Sequence, residues 1–156
     1  MTINLIQYIQ DNLDNTCLNL SGKGITDEIL IEIVPYLKKM PNLRDLDLRF
    51  NKITNLELLS GLTNLECLHL SFNQIINIEP IRALTKLEYL NLAYNQITNL
   101  EPLSSLIGLK GLRLRKNQIT NIEPLSSLIG LETLWLSDNQ ITNLEPLKTL
   151  TGLKIR

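Results

Sequence analysis

Leucine and isoleucine recur along this chain with a fixed step of 22. Leu46, Leu68, Leu90, Leu112 and Leu134 keep it, as do Leu48, Leu70, Leu92, Leu114 and Leu136. Ile53, Ile75, Ile97, Ile119 and Ile141 follow the same step, and so do the polar Asn51, Asn73, Asn95, Asn117 and Asn139. Leu46 and Leu48 are two apart, which puts both on one face of a strand and Asp47 on the other. Beyond the asparagine the chain returns through Ile53, Leu56, Leu59 and Leu62. Pro80, Pro102, Pro124 and Pro146 argue against regular helix or interior strand on that return leg; Leu58 holds the same slot in the first unit.

A period of this length with this pattern predicts an α/β leucine-rich repeat solenoid. Its strands are short and parallel on the concave face. Its convex segments are irregular or short 3-10 turns. Five regular units run from 43 to 152, and residues 153–156 begin a further, truncated one, with Leu153 opening it and Arg156 in a leucine slot. One unit cannot bury its own apolar face, so stacking on neighbours supplies the missing area. Backbone groups at the turn are then buried between coils and need partners. An uncharged amide offers two donors and an acceptor, so Asn51, Asn73, Asn95, Asn117 and Asn139 are read as a structural ladder.

The N-terminal part departs from the period. Leu18, Leu20 and Ile25 align with Leu46, Leu48 and Ile53 at a step of 28, which makes 15–42 a longer first repeat. Leu30, Ile33, Val34 and Leu37 have helical spacing, with Thr26 or Asp27 to cap the start and Pro35 to kink or shorten the helix. Lys23 stands in the asparagine slot, so the ladder lapses there. Residues 1–14, with Leu5, Ile6, Ile9 and Leu13 on one face, read as a helical cap over the end of the core.

If the leucines point inward, function belongs to the residues between and after them. The first outward column is Cys17, Asp45, Cys67, Tyr89, Gly111 and Thr133; the second is Asn19, Asp47, His69, Asn91, Arg113 and Trp135. The third is Ser21, Arg49, Ser71, Ala93, Arg115 and Ser137; the fourth, beside the ladder, is Gly22, Phe50, Phe72, Tyr94, Lys116 and Asp138. Every ring of the regular units falls in these columns, and exposed aromatic clusters mark interaction surfaces. The expected partner-binding set is Trp135, Arg113, Arg115, Tyr89, His69, Asp47, Tyr94, Phe72 and Lys116. For the fourth column a second use stays open, in which Phe50, Phe72 and Tyr94 stack and seal the edge. Gly111 is expected to leave a gap between Tyr89 and Thr133 for a partner side chain.

Composition narrows the choice. Apolar residues are 44% of the chain and aromatics 4%, so the core is aliphatic. A net charge of -1 gives no global pull toward nucleic acid or anionic membrane. The basic cluster Arg113, Arg115 and Lys116 therefore suits an acidic protein surface better than phosphate. Cys67, His69 and Asp45 or Asp47 share one surface and form a nucleophile constellation in principle. An open sheet supplies neither a dry pocket nor oxyanion donors, and zinc spacing motifs are absent; neither enzyme nor metal site nor cofactor is expected. Cys17 and Cys67 lie two strands apart, about 9–10 Å, beyond disulfide reach, and are read as free thiols. Glu57, Glu79, Glu101, Glu123 and Glu145 form an acidic stripe on the return leg, read as a solvated edge.

The unit "LxxLxLxxNQITNLEPLxxL" resembles the repeats of bacterial internalins and related intracellular proteins, and the longer first unit is similar to the ribonuclease-inhibitor type. The resemblance implies a non-enzymatic module that binds a protein on its concave sheet, with a bacterial effector acting on a host protein as one form of that role. Against the internalin pattern, the N-terminus has no secretory leader, which points to a cytoplasmic location or delivery into a host cell by another route. The alternative is an assembly role, in which the uncapped C-terminal end, with Leu134, Leu136 and Ile141 beside it, joins two chains as a weak homodimer.

Overall fold

The computed structural model describes residues 2–156. Helix α1 (Thr2–Gln10) buries Leu5 and Ile9 and packs on α2 (Asp27–Leu37). Strands β1 (Cys17–Asn19), β2 (Asp45–Asp47), β3 (Cys67–His69), β4 (Tyr89–Asn91), β5 (Gly111–Arg113), β6 (Thr133–Trp135) and β7 (Lys154–Ile155) form one parallel sheet in chain order. Strand order equals chain order because each coil repeats its predecessor and lies directly on it. Between strands the chain crosses back through 3-10 helices at Glu57–Gly61, Glu79–Ala83, Glu101–Ser105, Glu123–Ser127 and Glu145–Leu147. Four of these carry proline in the first turn, where the missing N–H costs nothing.

The core is a column of inward aliphatic side chains. Leu46, Leu48, Leu68, Leu70, Leu112, Leu114 and Ile53 are fully buried, and the same cluster runs unbroken from Leu5 to Leu150. Two asparagine columns complete each coil. In the inner one, Asn95 Oδ1 accepts from Ile75 N–H at 3.0 Å while Nδ2 donates to the carbonyls of Leu70 and Leu92 at 3.0 and 3.1 Å. Asn51, Asn73, Asn117 and Asn139 repeat this arrangement. An aspartate would place a carboxylate against two carbonyl oxygens, and leucine would leave the N–H unpaired and give neither carbonyl a donor. The outer column is Asn55, Asn77, Asn99, Asn121 and Asn143. Each accepts from the N–H two residues on, at 2.9–3.0 Å, and so starts the 3-10 turn.

Two local expectations are corrected, the cap of α2 and the slot of Arg156. Thr26 flanks α2 but makes no side-chain cap bond. Asp27 instead reaches the next coil, accepting from the Thr54 hydroxyl and from the backbone N–H of Thr54 and Asn55 at 2.9 and 3.1 Å. Pro35 lies inside α2, in its last turn, where the carbonyl of the exposed Ile31 loses its donor, and the helix ends two residues later. In the last coil Ile155, not Arg156, lies opposite Leu134. The step there is one residue shorter than the period, with Gly152 at φ +91° in the preceding turn.

Candidate protein-binding face

The register fixes which outward side chains meet. Across the sheet Asp47 pairs with His69, His69 with Asn91, Asn91 with Arg113, and Arg113 with Trp135. Asp45, Cys67, Tyr89, Gly111 and Thr133 run parallel to them. Outward residues alternate with buried leucines, so both columns stand on the concave surface.

At the C-terminal half this surface is aromatic and cationic. The Arg113 guanidinium lies 4.6 Å from the centre of the Trp135 ring, and Arg156, just after β7, lies 5.7 Å from it. Cation–π contact of this kind orders both groups while leaving the guanidinium edges free for an acceptor. Among the described residues neither Arg113 nor Arg156 forms an ion pair. Arg115 differs: it binds Asp138 at 2.9 Å and lies 5.7 Å from the Tyr94 ring. Lys116 stands 5.4 Å from the same ring. A hollow of about 190 Å³ opens between His69 and Tyr89 on one side and Arg113 and Trp135 on the other. Arg156 joins this group only because the last coil is short; the regular period had hidden it in a leucine slot.

The Tyr89 ring takes the space directly over Gly111, and the gap opens beside it as the hollow that Tyr89, Gly111 and Thr133 help to line. A Cβ at Gly111 would stand 2.7 Å from Tyr89 Cδ1 and 3.3 Å from Thr133 Oγ1. The glycine lets the Tyr89 ring lean across β5 and form a wall of the hollow, with the ring half exposed.

The fourth column turns the chain out of the strand. Phe50, Phe72, Tyr94, Lys116 and Asp138 all have φ between +56° and +59°, in the same slot as Gly22 at +64°. A left-handed residue with a side chain costs roughly 1–2 kcal/mol. Ring contact offsets part of it: Phe50 stacks on Phe72 at 4.4 Å, and Phe72 on Tyr94 at 4.1 Å. The rings stay accessible, with Phe50 at 54% and Phe72 at 40%, so stacking does not remove them from a binding surface. They border a second, shallower hollow of about 420 Å³ that reaches Arg113 and Trp135.

The N-terminal half is acidic and thiol-bearing. Asp47 is only 8% exposed, because Arg49 covers it and donates from Nε at 3.0 Å and from Nη2 at 2.7 Å. Burial works to raise its carboxyl pKa, but the Arg49 hydrogen bonds outweigh it and hold the group below the usual range. Cys67 Sγ lies 3.1 Å from His69 Nε2, and that nitrogen lies 3.8 Å from Asp45 Oδ1. Burial, with the Asp45 charge next, pushes the Cys67 thiol up to about 12. His69 Nδ1 is buried without a partner. A nucleophile relay needs thiol and carboxylate on opposite ring nitrogens; here both face Nε2, and the thiol is protonated at neutral pH. Cys17 and Cys67 are unbonded, with Asp45 between them.

The coil, the ladder and the concave columns have counterparts in known proteins. The family described as Leucine Rich repeats (2 copies) matches residues 41–83, 63–105 and 107–149. This chain belongs to the leucine-rich repeat family. Its repeats are internalin-like. A crystal structure of an internalin (inlF) from Listeria monocytogenes is 38% identical over 77% of this chain, with a TM-score of 0.73. Internalin C2 (inlC2) from the same organism is 31% identical over 94% of the chain, also at 0.73. The functional domain of InlJ from Listeria monocytogenes, described as including a cysteine ladder, is 28% identical over 89% at 0.67. The chain spans 36% of the first of these structures, 83% of the second and 33% of the third. No curated protein matches. This leucine-rich repeat protein has two cysteines in all, so the column that holds them is mixed, with no cysteine ladder.

Proposed function

We propose that this leucine-rich repeat protein binds a protein through its concave sheet without catalysing a reaction. The observation that carries the reading is Trp135 between two arginines that lack ion-pair partners, beside a hollow walled by Tyr89 and His69. Tryptophan, tyrosine and arginine dominate the energetics of protein interfaces. The partner they suit presents a carboxylate to Arg113 and Arg156 and an apolar side chain to the hollow. Tyr94, Phe72, Arg115 and Lys116 extend the contact along the ladder edge; Asp47, covered by Arg49, shapes the face and contributes little contact of its own. Likeness to Listeria internalins supports an effector that acts on a host protein, and the unbonded thiols suit a reducing compartment. Among the described residues no helix is long and apolar enough to cross a membrane.

The test starts with affinity capture of a partner on the intact chain. Calorimetric titration then compares wild type with Trp135→Ala and with the Trp135→Ala, Arg113→Ala double variant. Each truncation should cost about 2 kcal/mol or more, roughly a thirtyfold loss, with the thermal midpoint unchanged. Unaltered affinity in the double variant refutes the site.

A second reading, self-association, rests on Leu144 at 51% and Ile155 at 46% exposure around an open hollow at the last coil. Sedimentation should then show a concentration-dependent dimer that Ile155→Lys abolishes; a strict monomer rejects it.

A further inference from the structure

We propose that Asp45, Cys67 and His69 form a binding site on the concave face for one zinc-class divalent cation. This goes beyond protein binding and does not rest on it. The register of β2 and β3 sets Asp45 against Cys67, and His69 follows two residues later on the same face. One donor atom from each residue lies within 4.8 Å of the other two. The Sγ–Nε2 and Nε2–Oδ1 separations, 3.1 and 3.8 Å, bracket the roughly 3.3–3.8 Å between ligands held about 2.0–2.3 Å from a tetrahedral ion. Donors that converge on one point suit a cation, as donors arrayed in line suit a proton relay.

The donor types select the ion. A thiol sulfur, an imidazole nitrogen and a single carboxylate form a mixed set that zinc accepts and that calcium or magnesium, with their need for oxygen, does not. Asp47, the other carboxylate nearby, is held by Arg49 through both its oxygens, which leaves Asp45 facing the thiol and the imidazole. All three residues are partly buried, so neighbouring side chains restrict their rotamers. Three protein ligands leave a fourth position for water. On binding, the S–H bond of Cys67 breaks, a metal–sulfur bond forms, and the proton passes to buffer; no electron is transferred.

The spacing of the sequence hides this site. Its ligands come from a Cys-x-His pair and from the aspartate that holds the cysteine's slot one coil earlier, and no zinc motif has that form. The period of the solenoid is what brings them together.

The test titrates the purified full chain with Co²⁺ alone, followed by displacement with Zn²⁺. One cobalt per chain is expected, with thiolate-to-metal charge-transfer absorption that zinc abolishes. Cys67→Ser should remove the band, and Asp45→Asn and His69→Gln should each weaken binding by at least about tenfold. Cys17→Ser should leave it intact. Zn²⁺ should raise the thermal midpoint of wild type and leave that of Cys67→Ser where it was. Absence of the band, its survival in Cys67→Ser, or equal loss in Cys17→Ser would overturn the proposal. Should Cys67→Ser fail to fold, His69→Gln decides by the same readouts. Because no protein partner enters the experiment, failure here leaves the Trp135 reading standing.

Discussion

Replacing Asn95 with alanine isolates what the inner ladder contributes. The substitution removes one acceptor and one NH₂ group from the middle of the solenoid, where Asn95 is buried. Its Nδ2 donates to the Leu70 and Leu92 carbonyls, but each of these also accepts from another ladder amide, Asn73 and Asn117 respectively. Neither carbonyl is therefore stranded. Ile75 N–H is different, because its hydrogen bond goes to Asn95 Oδ1. The cost is one buried N–H left unpaired, about 1–3 kcal/mol, plus two lost hydrogen bonds at roughly 0.5–1.5 each, together about 2–6 kcal/mol. At the last coil Asn139 makes the same bonds to Ile119 N–H and the carbonyls of Leu114 and Leu136, yet it is only partly buried. Water can replace it there, and Asn139→Ala should cost about 1 kcal/mol. Guanidinium unfolding followed by circular dichroism measures both as midpoint shifts at constant slope. A loss below about 1 kcal/mol for Asn95→Ala, or one no larger than for Asn139→Ala, would refute the assignment of the ladder as the satisfier of buried backbone.

The left-handed column and the coil-to-coil carboxylate give further outcomes. Lys116→Gly removes a side chain from φ +56° without removing a stacked ring, and should be neutral or stabilising by up to about 1 kcal/mol in the same assay. Phe72→Gly relieves the same strain but breaks two stacks, and should destabilise; a gain in stability would show that the rings do not offset the strain. Burial works to raise the Asp27 carboxyl pKa, but bonds from Thr54 and Asn55 outweigh it and hold the pKa below its ordinary value. A depressed folded pKa means that the unfolded chain binds more protons, so this stabilisation is complete above the unfolded pKa of about 3.9 and is lost as pH falls through the folded one. Asp27→Asn should flatten the acid limb of a stability–pH curve and lower the plateau near neutrality; an unchanged curve would remove Asp27 from the account.

Much of this molecule is legible in one dimension. The regular step of Leu46, Leu48, Asn51 and Ile53 and their successors determined the coil, the inward face, the parallel sheet and the outward columns, because in a solenoid spatial neighbours are sequence neighbours one period apart. Prolines on the return leg determined that it is not a regular helix. Local backbone choices were less legible. Phe50, Phe72 and Tyr94 carry no sign of their left-handed backbone, since nothing in an aromatic side chain announces positive φ; only Gly22 in the same slot does. Asp27 read as a helix cap because its nearest donors in sequence belong to α2, whereas the donors it found belong to the next coil.

What tertiary structure alone decided are the pairings at side-chain scale. Sequence put Asp47, His69, Arg113 and Trp135 in one column, and left open that Arg49 covers Asp47 or that Tyr89 fills the space over Gly111. The shortened last coil moved Arg156 from an expected core slot to a place beside Trp135. Asp45, Cys67 and His69 became neighbours at ångström range through strand register and rotamer, quantities that a repeat period does not contain. Periodicity fixes which face a residue occupies because the backbone repeats; the contacts it makes there depend on its non-repeating neighbours, and those are resolved only when the coils are stacked.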